Sequence, residues 1–384
     1  MLIAGEASGD LLAAELVSAF QAKSPDTKFF GAGGPNMAEA GVELAFDLTQ
    51  HAATGIPTPG RFFHGRKQLD QLFALAIDRK PDVLIGVDYG FFNLRFGHAI
   101  RQFVRGNPFS KWNPKIVQFI SPQVWASRPS RAKLLEADYD LVLSIFPFEK
   151  DWYAKHTPKL RVEFVGHPMV DRFAAGGRMI RAPVWDQSGT RETRPSEILL
   201  LPGSRKGELK RHLPLMLDAV QLLQAKLPIS HGRMVLPNPT LKEFADKLSA
   251  PPPHVEIQVG NLPQALAQAD VVISKTGTVT MECAFFGVPT VTLYQKPLLG
   301  LAIGLGIITV KSLTMPNLLA GEEVFPEFLQ KDATPQNIAQ AALELLQDEP
   351  RRQKIKLKLA KVISSLGGPG ACERAATAIL SMFN

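Results

Sequence analysis

The sequence predicts an α/β protein of two domains, each a parallel sheet covered by helices. Three observations predict it. Short β-branched runs alternate with segments of helical spacing, the pattern of strand–helix–strand units. The pattern stops between Arg172 and Pro195, a stretch rich in Gly, Arg and Pro, and then starts again. A chain of 384 residues is also longer than one hydrophobic core usually serves.

The first strand is Met1 to Gly5. It runs into Glu6-Ala7-Ser8-Gly9-Asp10, and Leu11 to Ala22 then has helical spacing, with Ser8 or Asp10 as its cap. A small-residue loop feeding a helix start is a candidate anion or sugar site, and equally a plain capped helix. Two apolar residues before Ala4 are few for a central strand, so the reading expects the true start upstream. Phe29-Phe30-Gly31 is a second short strand, followed by a turn at Gly31–Pro35. Ala53 to Phe63 holds two prolines and two glycines and reads as a loop. Its Phe62-Phe63 pair, near Arg61 and Arg66, either grips a membrane surface or folds back on the core.

Leu69 to Asp78 is helical, and Lys80-Pro81-Asp82 ends it. Val83 to Val87 is a buried strand whose carboxyl end carries Asp88. Ligands of doubly wound sheets bind beyond that end, which makes Asp88 a candidate for chemistry. Ile116 to Ile120 delivers Ser121-Pro122-Gln123-Val124-Trp125 to the same edge. Asp138-Tyr139-Asp140 precedes the strand Leu141 to Ile145 and falls at the opposite end, so it reads as a solvated capping pair and not as a metal site. Val162 to Val165 ends at Gly166-His167-Pro168, where His167 reads as a turn residue.

The second pattern opens with the strand Ile198 to Leu201 and the loop Pro202 to Glu208. There Gly203 and Ser204 permit close backbone approach, and Arg205 offers a forked donor for a phosphate. Met234 to Leu236 and Val255 to Val259 are further strands, and Pro263 to Ala269 is a short helix. Val271 to Ile273 is a strand, Ser274–Thr278 a small polar loop, and Val279 to Phe286 a helix closed by Gly287. Thr290 to Tyr294 is the next strand. The helix start aims free N–H groups at the loop, where a diphosphate is the natural anion, and Glu282 lies one turn inside, within reach of a ribose diol. From this stretch alone an ordinary crossover with a surface glutamate reads equally well. Thr334 onwards is helical, Gly367–Gly370 breaks the chain, and Ala371 to Phe383 is a last helix.

Composition narrows the function. With 45% hydrophobic and 21% charged residues the chain is globular, not disordered. A formal charge of +7 suits anionic small molecules or an anionic membrane surface. No basic block is interleaved with aromatics, which argues against nucleic acid. Cys283 and Cys372 have neither a disulfide framework nor metal-ligand spacing and read as small buried hydrophobes. The N-terminus lacks the pattern of a secretory signal. Pro297 to Val310, the longest apolar run, is too short and Gly-rich to span a bilayer and reads as a buried helix or a patch on a bilayer surface.

The ordered set GEASGD, SPQVWASRPSR, FPFEK, GHPMVD, LPGSRKGE, TGTVTMEC and PNLLAGEE resembles lipid-A-disaccharide synthase, a family of bacterial glycosyltransferases, from Ala4 to about Gln330. The resemblance implies two Rossmann-like domains facing across a cleft, the type-B glycosyltransferase fold. Residues 1–170 would form the acceptor domain, 171–196 a linker and 197–370 the UDP-sugar domain, with 371–384 packing back on the first. It implies inverting transfer of a 2,3-diacylglucosamine from its UDP conjugate to 2,3-diacylglucosamine 1-phosphate, with release of UDP. It implies a cytoplasmic enzyme, peripheral on the inner face of the cytoplasmic membrane, without metal or cofactor; self-association is left open.

Carried over by position, Asp88, Glu6 and Asp10 are the catalytic candidates. Gly203, Ser204, Arg205, Glu208, Thr276, Gly277, Thr278, Glu282 and Asn317 are expected at the UDP-sugar, and Ser8, Gly9, Asn93, Ser121 and Trp125 on the acceptor side. Where the family usually has Asp-x-Pro-Asp-Phe-Asn, this chain has Asp88-Tyr89-Gly90-Phe91-Phe92-Asn93, so Phe91 replaces an aspartate. The lost aspartate leaves a non-catalytic UDP-sugar binder as one alternative, and a UDP-sugar isomerase of the same fold, such as a 2-epimerase, is another.

Overall fold

The computed structural model describes residues 1–51, 59–174, 195–228, 230–295 and 312–383. The first part of the loop expected from Ala53, most of the linker expected after Arg172 and the whole of the apolar run 297–310 lie outside the described residues. The chain divides into two compact units. One is built from Met1–Ala175 together with Leu366–Asn384, and the other from the described residues between.

The first unit holds β1 (Leu2–Ala4), β2 (Phe30–Gly33), β3 (Glu43–Asp47), β4 (Val83–Val87), β5 (Lys115–Phe119), β6 (Leu141–Ser144) and β7 (Val162–Phe164). They form one parallel sheet in the order β3-β2-β1-β4-β5-β6-β7. The second unit holds β8 (Glu197–Leu201), β9 (His231–Leu236), β10 (Val255–Val259), β11 (Val271–Lys275), β12 (Thr290–Tyr294) and β13 (Glu327–Leu329). These are parallel in the order β10-β9-β8-β11-β12-β13. In each sheet the strand order reverses next to the first strand, between β1 and β4 and between β8 and β11. At such a reversal the loops leaving two neighbouring strands part to opposite faces and open a crevice at their carboxyl ends.

The strands read as unbroken apolar runs because both faces of the sheet are covered. Leu2, Ala4, Ile85, Val87, Val117 and Phe119 enter one core with helices Ala7–Lys23 and Ala371–Leu380. Ile3, Leu84, Ile116 and Val142 enter the other. The brief β1 suffices because it is paired on both sides, Leu2 with Gly31 and with Ile85. A Cβ at Gly31 would lie 1.9 Å from the Leu2 carbonyl oxygen, so the close approach requires glycine there. Asp171 accepts N–H bonds from Gly370 and Ala371, and Arg374 donates to the Val165 carbonyl (2.8 Å), which fastens the last helix to the first unit.

Several expectations are corrected. The first helix starts at Ala7, not Leu11. Gly31 to Gly33 belong to β2 and not to a turn. The helix expected from Leu69 begins at Pro59, since proline is at home in a helix's first turn, so Phe62-Phe63 is helical and not looped. Edge strand β3 and helix Gly90–Gly106 were not among the expected elements. Asp138 is not solvated: it is buried, meets His98 Nδ1 at 2.7 Å and accepts from Arg105 at 3.4 Å. Asp140 accepts from Arg101 (2.6 Å) and from the Ile116 N–H (2.8 Å). The two aspartates tie the amino ends of β5 and β6 to helix Gly90–Gly106, far along the strands from the ligand edge.

Candidate functional site

Asp88 leaves the carboxyl end of β4 at the switch point of the first sheet. Asp88 and Tyr89 both have left-handed backbone, φ +50° and +43°, which costs each about 1 kcal/mol in a residue with a Cβ. Surrounding hydrogen bonds hold this shape. The Asp88 N–H donates to the Phe119 carbonyl (2.9 Å), and the Asp88 carbonyl accepts from Asn93 Nδ2 (2.8 Å) and Gln118 Nε2 (2.9 Å). Gly86 makes room for both amides, for a Cβ there would lie 2.8 Å from Asn93 Cγ and from Gln118 Oε1. Gln118 also donates to the carbonyl of Ile120 (3.2 Å), another left-handed residue at φ +67°. Sequence reading passed over Gln118; the signal was one polar side chain in the apolar run of β5. Asn93, expected on the acceptor side, is a buried backbone clamp. Gln118→Leu should lower kcat about tenfold through a misplaced carboxylate, with UDP affinity unchanged and the acid limb of the pH–rate profile displaced, in kinetics and UDP titration.

The loop after β1 meets Asp88 from the other side. A Cβ at Gly5 would fall 2.3 Å from the Tyr89 ring, and one at Gly9 3.6 Å from Asp88 Cβ. These two glycines let the start of helix Ala7–Lys23 press on the end of β4, bringing the Glu6 carboxylate into the field of Asp88. Burial first, and Glu6 second, push the Asp88 carboxyl up to about 6, against the pull of the Tyr89 N–H. Glu6 is the residue that opens this helix, and Ser8 is exposed beside it.

Asp10 differs. It is buried and accepts from the N–H groups of Gly34 (2.8 Å), Asn36 (3.0 Å) and Met37 (3.0 Å) and from Asn36 Nδ2 (2.8 Å). It caps helix Pro35–Glu39 rather than its own helix, and no lone pair is left for proton transfer. Ser121 and Trp125 are buried too. Ser121 Oγ meets Tyr153 OH at 3.0 Å, and Trp125 Nε1 donates to Glu149 Oε1 at 2.9 Å. Burial pushes Glu149 up to about 7, against its bonds from Trp125 and the Phe146 N–H. His167 Nδ1 accepts from the Met169 N–H (3.1 Å), a turn residue as expected.

In the second unit the loops after β8 and β11 lie at the other switch point, with Leu201 beside Ser274. Gly203 is left-handed (φ +127°), and a Cβ there would strike Glu208 Oε2 at 2.5 Å. Glu208 accepts the Ser204 N–H at 3.0 Å, and its Oε1 lies 3.0 Å from Lys275 Nζ and 3.6 Å from Arg205. Burial pushes Glu208 up, but Lys275, Ser204 and Arg205 hold it below the usual carboxylate range. Glu208 therefore aligns two cations on one oxygen. Lys275 is the residue that sequence reading missed, although a lysine closing an apolar strand at the ligand edge was its signal.

Beside it, Thr276 is buried and Thr280 Oγ1 donates to the Gly277 carbonyl at 2.7 Å. Among the described residues the N–H groups of Gly277, Thr278 and Val279 meet no acceptor. Glu282 lies half-buried on helix Val279–Phe285. His212 joins this edge from behind: its Nε2 accepts the Gln295 N–H (3.1 Å), and burial, then Arg211, lower it to about 4.

Asn317 is saturated. Its Nδ2 donates to Phe325 O and Glu327 Oε1, both 2.8 Å, and its Oδ1 accepts from the Val324 and Phe325 N–H groups, both 2.8 Å. It pins its loop and has no bond left for a nucleotide. Asn317→Ala should destabilise the second unit by about 2–4 kcal/mol, read by denaturant melting, while the folded variant keeps its UDP affinity. Among the described residues no group of three or more His, Cys, Asp or Glu side chains could hold a metal ion.

Comparisons with known proteins bear on the family and the fold. Residues 1–382 match the family model described as lipid-A-disaccharide synthetase. A lipid-A-disaccharide synthase of Syntrophus aciditrophicus is 35% identical over 387 residues, covering 100% of this chain and 97% of that protein. One from Geobacter metallireducens is 34% identical over 387 residues with the same coverage. Among solved structures, an S. aureus MnaA–UDP complex has a TM-score of 0.66 at 15% identity, covering 100% of this chain and 96% of that one. MurG of Acinetobacter baumannii has a TM-score of 0.55 at 17% identity, covering 100% and 99%. At such identities these two likenesses speak for the type-B fold alone. The full-length family match and these relatives together place the chain in the lipid-A-disaccharide synthetase family, whose members are hexosyltransferases.

Proposed function

We propose that this glycosyltransferase of lipid A biosynthesis moves a 2,3-diacylglucosamine from UDP to the 6-hydroxyl of 2,3-diacylglucosamine 1-phosphate, with inversion. The second unit holds the UDP-sugar and the first the acceptor. The observation that carries the reading is the meeting of Arg205 and Lys275 on Glu208, beside unpaired loop N–H groups at a switch point. Such a cradle fits a diphosphate: two cations and N–H donors are fixed where negative charge grows as the leaving group departs. Gly203, Ser204, Thr276, Gly277 and Thr278 let the nucleotide approach the backbone, and Glu282 accepts from its ribose.

Asp88 is the base. As the acceptor oxygen attacks C1, its proton passes to Asp88, and the C1–O bond breaks with its electron pair leaving on UDP. The sugar passes through an oxocarbenium-like state. A pKa of about 6 keeps Asp88 ionised near neutral pH yet close enough to accept a proton. Burial raises that value first and the charge of Glu6 adds to it, and Ser8 and Gly9 line the acceptor's approach. Asp10, Asn93, Ser121, Trp125 and Asn317 support the site without touching substrate.

Among the described residues no helix is long and apolar enough to cross a membrane, and we assign the enzyme to the cytoplasmic face of the inner membrane, where its acylated substrates reside. The test is incubation of UDP-2,3-diacylglucosamine with 2,3-diacylglucosamine 1-phosphate and the mass of the product. A disaccharide 1-phosphate plus UDP is expected. An epimerised UDP-sugar formed without acceptor, or tight UDP binding with no product, would overturn the reading.

A further inference from the structure

We propose that Arg95, Arg128 and Arg131 form a binding site for a phosphate group carried on an apolar molecule, with the exposed ring of Phe91 as its apolar neighbour. Phe91 stands in the first turn of the helix that follows Asp88, and 54% of it is exposed. The Arg95 guanidinium lies 4.6 Å from its ring centre and that of Arg131 5.0 Å. Arg128 and Arg131 belong to the turn Pro129–Arg131 and its lead-in, in the segment leaving β5, the strand next to β4. The cluster thus sits at the carboxyl edge of the first sheet.

Among the described residues the charge has no paired carboxylate. Burial, then Arg128 and Arg95, lower the pKa of Arg131, so the three cations share one field. Among the described residues none of the three has an ion pair or a hydrogen bond from its side chain. Other arginines of this unit are matched: Arg79 with Glu43, Arg101 with Asp140, Arg105 with Asp138, Arg161 with Glu163 and Arg172 with Glu15. Three like charges without a counter-ion repel one another and favour an incoming anion. Forked guanidinium donors match the oxygens of a phosphate, and the aromatic ring suits an attached hydrocarbon.

Two sources supply that chemistry: the anomeric phosphate of the acylated acceptor, which rests on the function proposed above, and the headgroup of an anionic phospholipid, which does not. The experiment uses the full chain, the double variant Arg95→Gln/Arg131→Gln and the charge-keeping Arg131→Lys. Thermal melting followed by circular dichroism certifies that each variant is folded. One arm measures KM for 2,3-diacylglucosamine 1-phosphate and competition by glucosamine 1-phosphate. The other measures co-sedimentation with phosphatidylcholine vesicles with and without phosphatidylglycerol.

The double variant should lose about tenfold or more in one arm, as expected for removal of charged hydrogen bonds, with Arg131→Lys in between. A loss in the first arm identifies the acceptor phosphate, and a loss confined to phosphatidylglycerol vesicles identifies the headgroup. Equal behaviour of the double variant and the wild type in both arms would overturn the site. A wild-type protein without turnover would sink the proposed reaction instead, and direct calorimetric binding of glucosamine 1-phosphate together with sedimentation would still decide the site.

Discussion

Asp88→Asn should lower turnover by about 100-fold or more while leaving the affinity for UDP unchanged. The loss follows from removing the proposed base, in a backbone shape that Asn93, Gln118 and Phe119 hold for it. The same variant should be more stable than the wild type at neutral pH. The Asp88 pKa is raised from 3.8 to about 6, so ionising it costs the folded protein up to about 3 kcal/mol. The sign is fixed by the direction of the shift. Below pH 4 the carboxyl is protonated in both folded and unfolded chains and the two variants should melt alike. Between pH 4 and 6 the wild type falls behind, and above about 6 the gap is complete. Wild-type activity should fall as pH drops through about 6, where the base is protonated. Paired melting and pH–rate curves check this; a variant that loses stability along with turnover would make Asp88 a structural residue.

Arg205→Ala should weaken UDP by about 10- to 100-fold and slow turnover further, because a guanidinium facing a departing diphosphate binds the transition state harder than the ground state. Lys275→Ala should cost a comparable amount. Both cations converge on Glu208 Oε1, so the two losses should not add: once one is gone, the carboxylate pairs fully with the other. Glu208→Gln releases both cations and takes away the acceptor that aligns them, and should raise the salt sensitivity of UDP binding. Titration of UDP into these three variants and the double variant Arg205→Ala/Lys275→Ala at two ionic strengths measures all of this. UDP affinity untouched in Arg205→Ala would move the diphosphate elsewhere.

How legible was the chain? The strands at the sheet centres were plain, because residues buried on both faces read as β-branched runs: Val83–Val87, Ile198–Leu201 and Thr290–Tyr294 needed no context. Edge strand β3 was not, since half-exposed Glu43–Asp47 carries neither an apolar run nor a turn signal. The helix at Gly90 was hidden by its glycine and aromatic start. For the site, chemistry at strand ends was visible, and so Asp88, Ser204 and Arg205 stood out. What hydrogen bonds use up was not. Asp10 and Asn317 match the family's pattern as well as Asp88 does, yet their bonds are spent on backbone N–H and C=O groups 7 to 27 residues away.

By itself, the sequence determined that this is a two-part α/β chain with loops at strand ends suited to a diphosphate and to a proton transfer, because local pattern and residue chemistry are properties of neighbours along the chain. Only the tertiary structure decided which polar groups are free for a ligand. That question turns on partners from distant strands: Gln118 on β5 fixing Asp88 on β4, Lys275 on β11 meeting Glu208 after β8, and Arg95 and Arg131 meeting at the Phe91 ring.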